Sequence, residues 1–136
     1  AADLVPQPVI RHAPEKTPLG VIYFGSTSPA MREALDDLDA ERVYLDALRL
    51  QAFPFPESVR RFIAEHDKVF VVEQNRDAQM HSMLVNELDV DPARLIRVLH
   101  YDGTPITARF IAHAIRQIVQ PQIPDARKVP RSKEIA

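Results

Sequence analysis

At 136 residues, 46% of them hydrophobic and 26% charged, the chain has the size and balance of one soluble globular domain with a substantial core. A formal charge of −2 gives no reason to expect nucleic acid or an anionic membrane as partner, and no apolar run approaches the roughly 18 residues that would span a bilayer. The absence of cysteine excludes disulfides, thiolate metal sites, iron–sulfur ligation and a cysteine nucleophile within the chain, and fits a cytoplasmic protein.

The opening AADLVPQPVIRHAP has no charged region followed by an apolar stretch, so it does not read as a signal peptide. A start at Ala1 rather than methionine hints at a longer parent. Pro6, Pro8, Pro14 and Pro18 make residues 1–18 an extended linker. Pro121, Pro124 and Pro130 do the same for a tail over 121–136, where Arg127, Lys128, Arg131 and Lys133 stand against Asp125 and Glu134. Between them, residues 19–120 are expected to form one α/β domain.

Leu19 to Phe24 is an apolar run that predicts a strand, ending at Gly25-Ser26-Thr27-Ser28. Pro29 suits the first position of a helix capped by Ser28. In that helix Met31, Ala34, Leu35 and Leu38 recur at helical spacing and predict one buried face. Val43 to Leu50 reads as extended, with a mixed pattern, and the prolines of Ala52-Phe53-Pro54-Phe55-Pro56 end it. Pro56 and Glu57 open a second helix, with Val59, Phe62, Ile63 and His66 on one face.

Lys68 to Val72 is the clearest strand, because Val69, Phe70, Val71 and Val72 are β-branched or aromatic without interruption. Such a run suits a parallel strand covered on both faces. A third helix, with Met80, Met83, Leu84 and Leu88 on one side, ends at Asp91-Pro92. Leu95 to Leu99 is the last strand, and His100 to Gly103 is its exit turn. The final helix begins near Thr104-Pro105 or near Thr107, and Phe110, Ile111, Ala114, Ile115 and Ile118 form its expected buried side. Regular alternation of strand and helix predicts a mainly parallel sheet with helices on both faces, a three-layer Rossmann-like sandwich.

With three glycines, at 20, 25 and 103, neither a dinucleotide-binding nor a P-loop fingerprint can be written. His12, His66, His81, His100 and His113 show no metal-binding spacing. Ser26 and Ser28 lie at a strand-to-helix turn, yet G-x-S-x-G is missing, which argues against a hydrolase. Two constellations remain. Ser26, Thr27 and Ser28 sit where backbone N–H groups and hydroxyls receive an anion, or where they simply cap a helix. Glu73, Asn75, Arg76 and Gln79 follow the central strand and supply contacts to a partner or polar ligand; alternatively Asn75 and Asp77 simply make an Asx turn that caps the next helix. On the residues alone, a stand-alone small-anion-binding α/β module is therefore one functional reading.

Four segments in order carry a family resemblance: LGVIYFGSTSPAM (19–31), LRLQAFPFP (48–56), VFVVEQNRDAQ (69–79) and VLHYDGTPITARFI (98–111). Together they resemble the carboxyl-terminal part of the alpha subunit of 2-oxoacid:ferredoxin oxidoreductases, nearest the 2-oxoglutarate type, over residues 19–116. The resemblance implies a transketolase C-terminal-like domain with one antiparallel edge strand, which would come from Val9 to Arg11. It implies thiamine diphosphate, Mg, an iron–sulfur cluster and coenzyme A for the complete enzyme, none of them held by this segment. It further implies the remainder of the alpha subunit, a beta subunit and, through the complete enzyme, ferredoxin as partners, with a structural role in assembly here and no catalytic residue. Relatives read Glu-x-Asn-x-Gly-Gln after the central strand. Here the segment runs from Glu73 to Gln79, one residue longer, with Ala78 in place of the glycine.

Overall fold

The computed structural model describes residues 7–51, 55–74, 79–100 and 104–119. Strands β1 (Val9–Arg11), β2 (Leu19–Phe24), β3 (Asp46–Leu50), β4 (Lys68–Glu73) and β5 (Leu95–Leu99) form one sheet. Helices α1 (Ser28–Ala40), α2 (Glu57–Ala64), α3 (Gln79–Leu88) and α4 (Ala108–Val119) follow β2, β3, β4 and β5 in turn. The sheet order is β1-β3-β2-β4-β5. β2 pairs in parallel with β3 and β4, and β4 with β5. β1 runs antiparallel along β3, with Val9 opposite Arg49 and Arg11 opposite Ala47.

The expected antiparallel edge strand is thus present at Val9–Arg11, and the three layers follow from the period of two along each strand. Val21, Tyr23, Ala47, Phe70 and Val72 pack with Met31, Leu35 and Leu38 of α1 and with Ile111 and Ile115 of α4. Ile22, Leu48, Leu50, Val69 and Val71 point the other way, onto Val59, Phe62 and Ile63 of α2 and Met80, Leu84 and Leu88 of α3. Helices that follow leftward and rightward steps in the strand order lie on opposite faces, as right-handed crossovers require.

Several local expectations shift. Val43 and Leu45 are buried in the α1 face of the core but precede β3, which starts at Asp46. Helix α1 is capped by Thr27 rather than Ser28 and makes no side-chain capping bond, because Gly25–Thr27 is a 3-10 turn that leads straight into it. His66 lies beyond the end of α2, which is Ala64. Met83 of α3 is only half-buried. Helix α4 starts at Ala108, where the Thr107 hydroxyl accepts from the Phe110 N–H at 3.1 Å. Its buried residues are Ala108, Ile111, Ala112 and Ile115, whereas Ile118 is 40% exposed. The helix packs along α1, so its inward stripe is narrower than the row of large apolar residues implied.

The amino ends of the parallel strands are tied together by the chain itself. The N–H groups of Asp67 and Lys68 donate to the Pro18 carbonyl at 2.8 and 3.3 Å. Arg94 donates to the His66 carbonyl at 2.8 Å, and Thr17 to the Tyr44 carbonyl at 2.7 Å. Among the described residues, every buried side-chain nitrogen and oxygen has a hydrogen-bond partner. No described helix is long and apolar enough to cross a membrane.

Candidate functional site

The sheet reverses its winding at β2: the next strand in the chain, β3, lies on one side, and β4 on the other. Open α/β sheets bind ligands in the crevice outside the carboxyl ends of the strands at such a switch point. Thr27, just after β2, and Gln74, just after β4, border that crevice. The Gln74 Nε2 donates to Thr27 Oγ1 at 3.1 Å and closes it across the two strand ends. Thr27 is buried at 3% exposure.

Glu73 ends β4 and is also buried at 3% exposure. Its Oε1 accepts from the Met80 N–H at 2.7 Å and its Oε2 from the His81 N–H at 3.0 Å. These are amides of the first turn of α3, where a helix leaves donors unsatisfied and carries the positive end of its dipole. A carboxylate carried by the preceding strand therefore occupies the place where an external anion would bind. Charge-assisted bonds of this kind are worth about 1.5–3 kcal/mol each, so Glu73 locks the strand to the helix that follows.

Of the residues singled out from sequence, Asn75 and Arg76 lie outside the described residues. Gln79 is the first residue of α3, and Ser26 is central in the 3-10 turn. Ser28 is 7% exposed, and its Oγ accepts from Arg49 Nη1 at 3.4 Å. The strand ends thus bring Thr27 together with Gln74, and Ser28 together with Arg49. Gln74 and Arg49 were not singled out from sequence. The available signals were Gln74's position directly after Glu73 and a cation inside the otherwise apolar end of β3.

Arg49 reaches toward Gly25, whose missing Cβ would lie 3.9 Å from Arg49 Cδ. An open depression of about 420 Å³, lined by Phe24, Gly25, Arg49, Leu50 and Gln51, adjoins it. At the far side of β3, a smaller cleft of about 130 Å³ contains Asp46, Ser58 and His66. His66 Nε2 is 2.8 Å from Asp46 Oδ2 and Nδ1 is 2.6 Å from the Phe62 carbonyl. Both ring nitrogens are therefore engaged, and neither remains to take a proton from Ser58. This pair ties α2 to β3 and does not activate a nucleophile. Among the described residues, no group of His, Asp or Glu is placed to hold a metal ion.

The chain matches no protein-family model and no curated protein. By fold it is a Rossmann-like α/β domain of the transketolase C-terminal-like kind. Among solved structures it is similar to the 2-oxoglutarate:ferredoxin oxidoreductase from Magnetococcus marinus with 2-oxoglutarate, coenzyme A and succinyl-CoA bound. That likeness has a TM-score of 0.74 at 25% identity and covers 85% of this chain and 20% of that chain. The alpha chain of a probable 2-oxoacid ferredoxin oxidoreductase from Thermoplasma acidophilum shares the fold at a TM-score of 0.54 and 24% identity, covering 82% of this chain and 96% of that one. The oxidoreductase resemblance read from four segments thus holds for the fold as a whole.

Proposed function

We propose that the chain serves as the transketolase C-terminal-like domain of the alpha subunit of a 2-oxoacid:ferredoxin oxidoreductase, of the 2-oxoglutarate type, and acts in packing and subunit assembly. The single observation that carries this reading is the likeness to the Magnetococcus enzyme over 85% of the chain. Two features of the strand ends support a packing role: Glu73 fills the start of α3, and Gln74 bridges to Thr27 across the switch point. Both spend, on internal bonds, polar groups that a ligand site of this fold would present outward.

An iron–sulfur cluster does not fit the residues present. No cysteine is available to ligate an iron–sulfur cluster, and both oxygens of Glu73 accept backbone amides. The cluster is therefore assigned to other parts of the enzyme, and the family resemblance assigns thiamine diphosphate, Mg and coenzyme A there as well. The remainder of the alpha subunit and a beta subunit are the direct partners, and ferredoxin is reached through the whole. In this reading Ser26 and Gln79, with Asn75 and Arg76 outside the described residues, supply the contacts to the neighbouring chain, while the buried Thr27, Ser28 and Glu73 hold that edge in shape from within.

The test combines this chain with the remainder of the alpha subunit and the beta partner. Reduction of a viologen dye is then followed with 2-oxoglutarate and coenzyme A. Turnover that requires all components is expected, with none from the chain alone. A complete assembly inactive on 2-oxoglutarate and on other 2-oxoacids would refute the proposal.

A further inference from the structure

The β1–β3 edge carries two features that the core and the switch point leave unused. Arg49 is half-buried, and among the described residues its one polar contact is the long 3.4 Å bond to Ser28 Oγ. A guanidinium has five N–H donors in a planar fork suited to a carboxylate. No carboxylate of the described residues pairs with it, although Arg11 is paired with Asp36 and Asp39, and Arg116 with Glu41. Directly opposite Arg49 in the antiparallel register is Val9. Residues opposed in this way share a face of the sheet, and Val9 is 47% exposed, the highest value among the large apolar residues described. A cation with no counter-charge among the described residues therefore stands beside a half-exposed apolar side chain, and it lines the depression formed with Phe24, Gly25, Leu50 and Gln51.

We infer that this patch is a docking point for an acidic side chain of the neighbouring chain in the assembled enzyme, with its carboxylate paired in bidentate fashion to Arg49 and an adjacent apolar group covering Val9. The inference rests on the assembly reading above and names the contact within it. Charge complementarity selects the carboxylate. The apolar neighbour makes the contact a protein surface, since excluding water around an arginine fork is what makes such a pair contribute to binding. An interfacial pair with this geometry fixes the orientation of the partner as well as its affinity.

The experiment measures binding of the chain to the remainder of the complete enzyme at several salt concentrations, for wild type, Arg49→Glu, Arg49→Gln, Arg49→Lys and Val9→Ser. Loss of a hydrogen-bonded interfacial charge pair should weaken binding about tenfold or more in Arg49→Glu and Arg49→Gln. Arg49→Lys should fall between these and wild type, because it keeps the charge but lacks the fork. The salt dependence of binding should flatten in Arg49→Gln. Thermal melts of each variant alone establish that it is folded, and Arg49→Gln carries the test if Arg49→Glu does not fold. Wild-type affinity in Arg49→Gln, with wild type assembling, overturns this contact and leaves the assembly reading standing. Failure of the wild-type chain to bind at all overturns both. Calorimetry of the chain alone with succinate and with inorganic phosphate separates the remaining source of an anion: binding that disappears in Arg49→Gln would reassign the patch to a free small molecule and overturn the partner contact.

Discussion

Glu73 shows how one residue changes meaning between sequence and structure. At the end of an apolar strand, the Glu73 carboxylate reads as an acceptor for a ligand or a partner chain. Folding turns it inward, where it accepts two amides of α3. Glu73→Gln keeps the shape but replaces one acceptor oxygen with an NH₂ group that faces an N–H donor. The expected loss is about 1–3 kcal/mol, the cost of leaving a buried donor unsatisfied. Urea unfolding of wild type and variant measures it, and equal midpoints would show that the lock contributes nothing. Arg49 is the converse case, a cation visible in the sequence within β3 that finds Ser28, and no carboxylate, among the described residues.

At the scale of elements, the contact between β2 and α2 depends on one missing side chain. A Cβ at Gly20 would lie 2.8 Å from Phe62 Cε1, 3.0 Å from Phe62 Cζ and 3.3 Å from His66 Cγ. Phe62 is 4% exposed and His66 is held at both ring nitrogens. Neither ring can yield without moving α2 off the sheet. Gly20→Ala is therefore expected to destabilise by about 1–3 kcal/mol, the usual cost of overpacking a filled site, although alanine itself suits a strand no worse than glycine. Thermal unfolding monitored by circular dichroism tests this; an unchanged or raised midpoint would refute the close-packing account. The sequence contained the glycine but not the ring above it.

For the whole molecule, the sheet divides the core into two clusters with different helices on each face. Leu35 of α1 and Ile63 of α2 are each 1% exposed, one in each cluster. Truncating either to alanine should cost about 2–5 kcal/mol. With the sheet between them they share no cavity, so the double variant should equal the sum within about 0.5 kcal/mol. Denaturant titration of the two single variants and the double variant provides the check; a coupling well above that value would mean that strain crosses the sheet. Because a domain of this size is stable by only about 5–15 kcal/mol, the double variant should lie close to its unfolding threshold under native conditions.

The alternation of strand and helix was legible because each element announces itself locally. Val69 to Val72 have no polar interruption, and Met31, Ala34, Leu35 and Leu38 keep helical spacing whatever they pack against. The edge strand at Val9–Arg11 gave only a weak local signal, since a three-residue strand is defined by its partner β3 more than by its own residues. Ile118 was misplaced on the buried side for a similar reason: periodicity gives the center of a helix's apolar face, while the neighbouring helix sets how far burial extends around it.

The sequence by itself determined the class of fold, the layered order of elements, the lack of thiolate chemistry and the segments that resemble the alpha subunit of an oxidoreductase. These depend on residue type and on spacing along the chain. Tertiary structure decided which polar groups of the strand ends are consumed internally and which are left facing outward. That Glu73 reaches the start of α3, that Gln74 crosses to Thr27, and that Arg49 lies beside Val9 are facts of strand order and register. Hydrogen bonds and ion pairs act over a few ångströms in space, and only the folded sheet brings residues distant in sequence within that range.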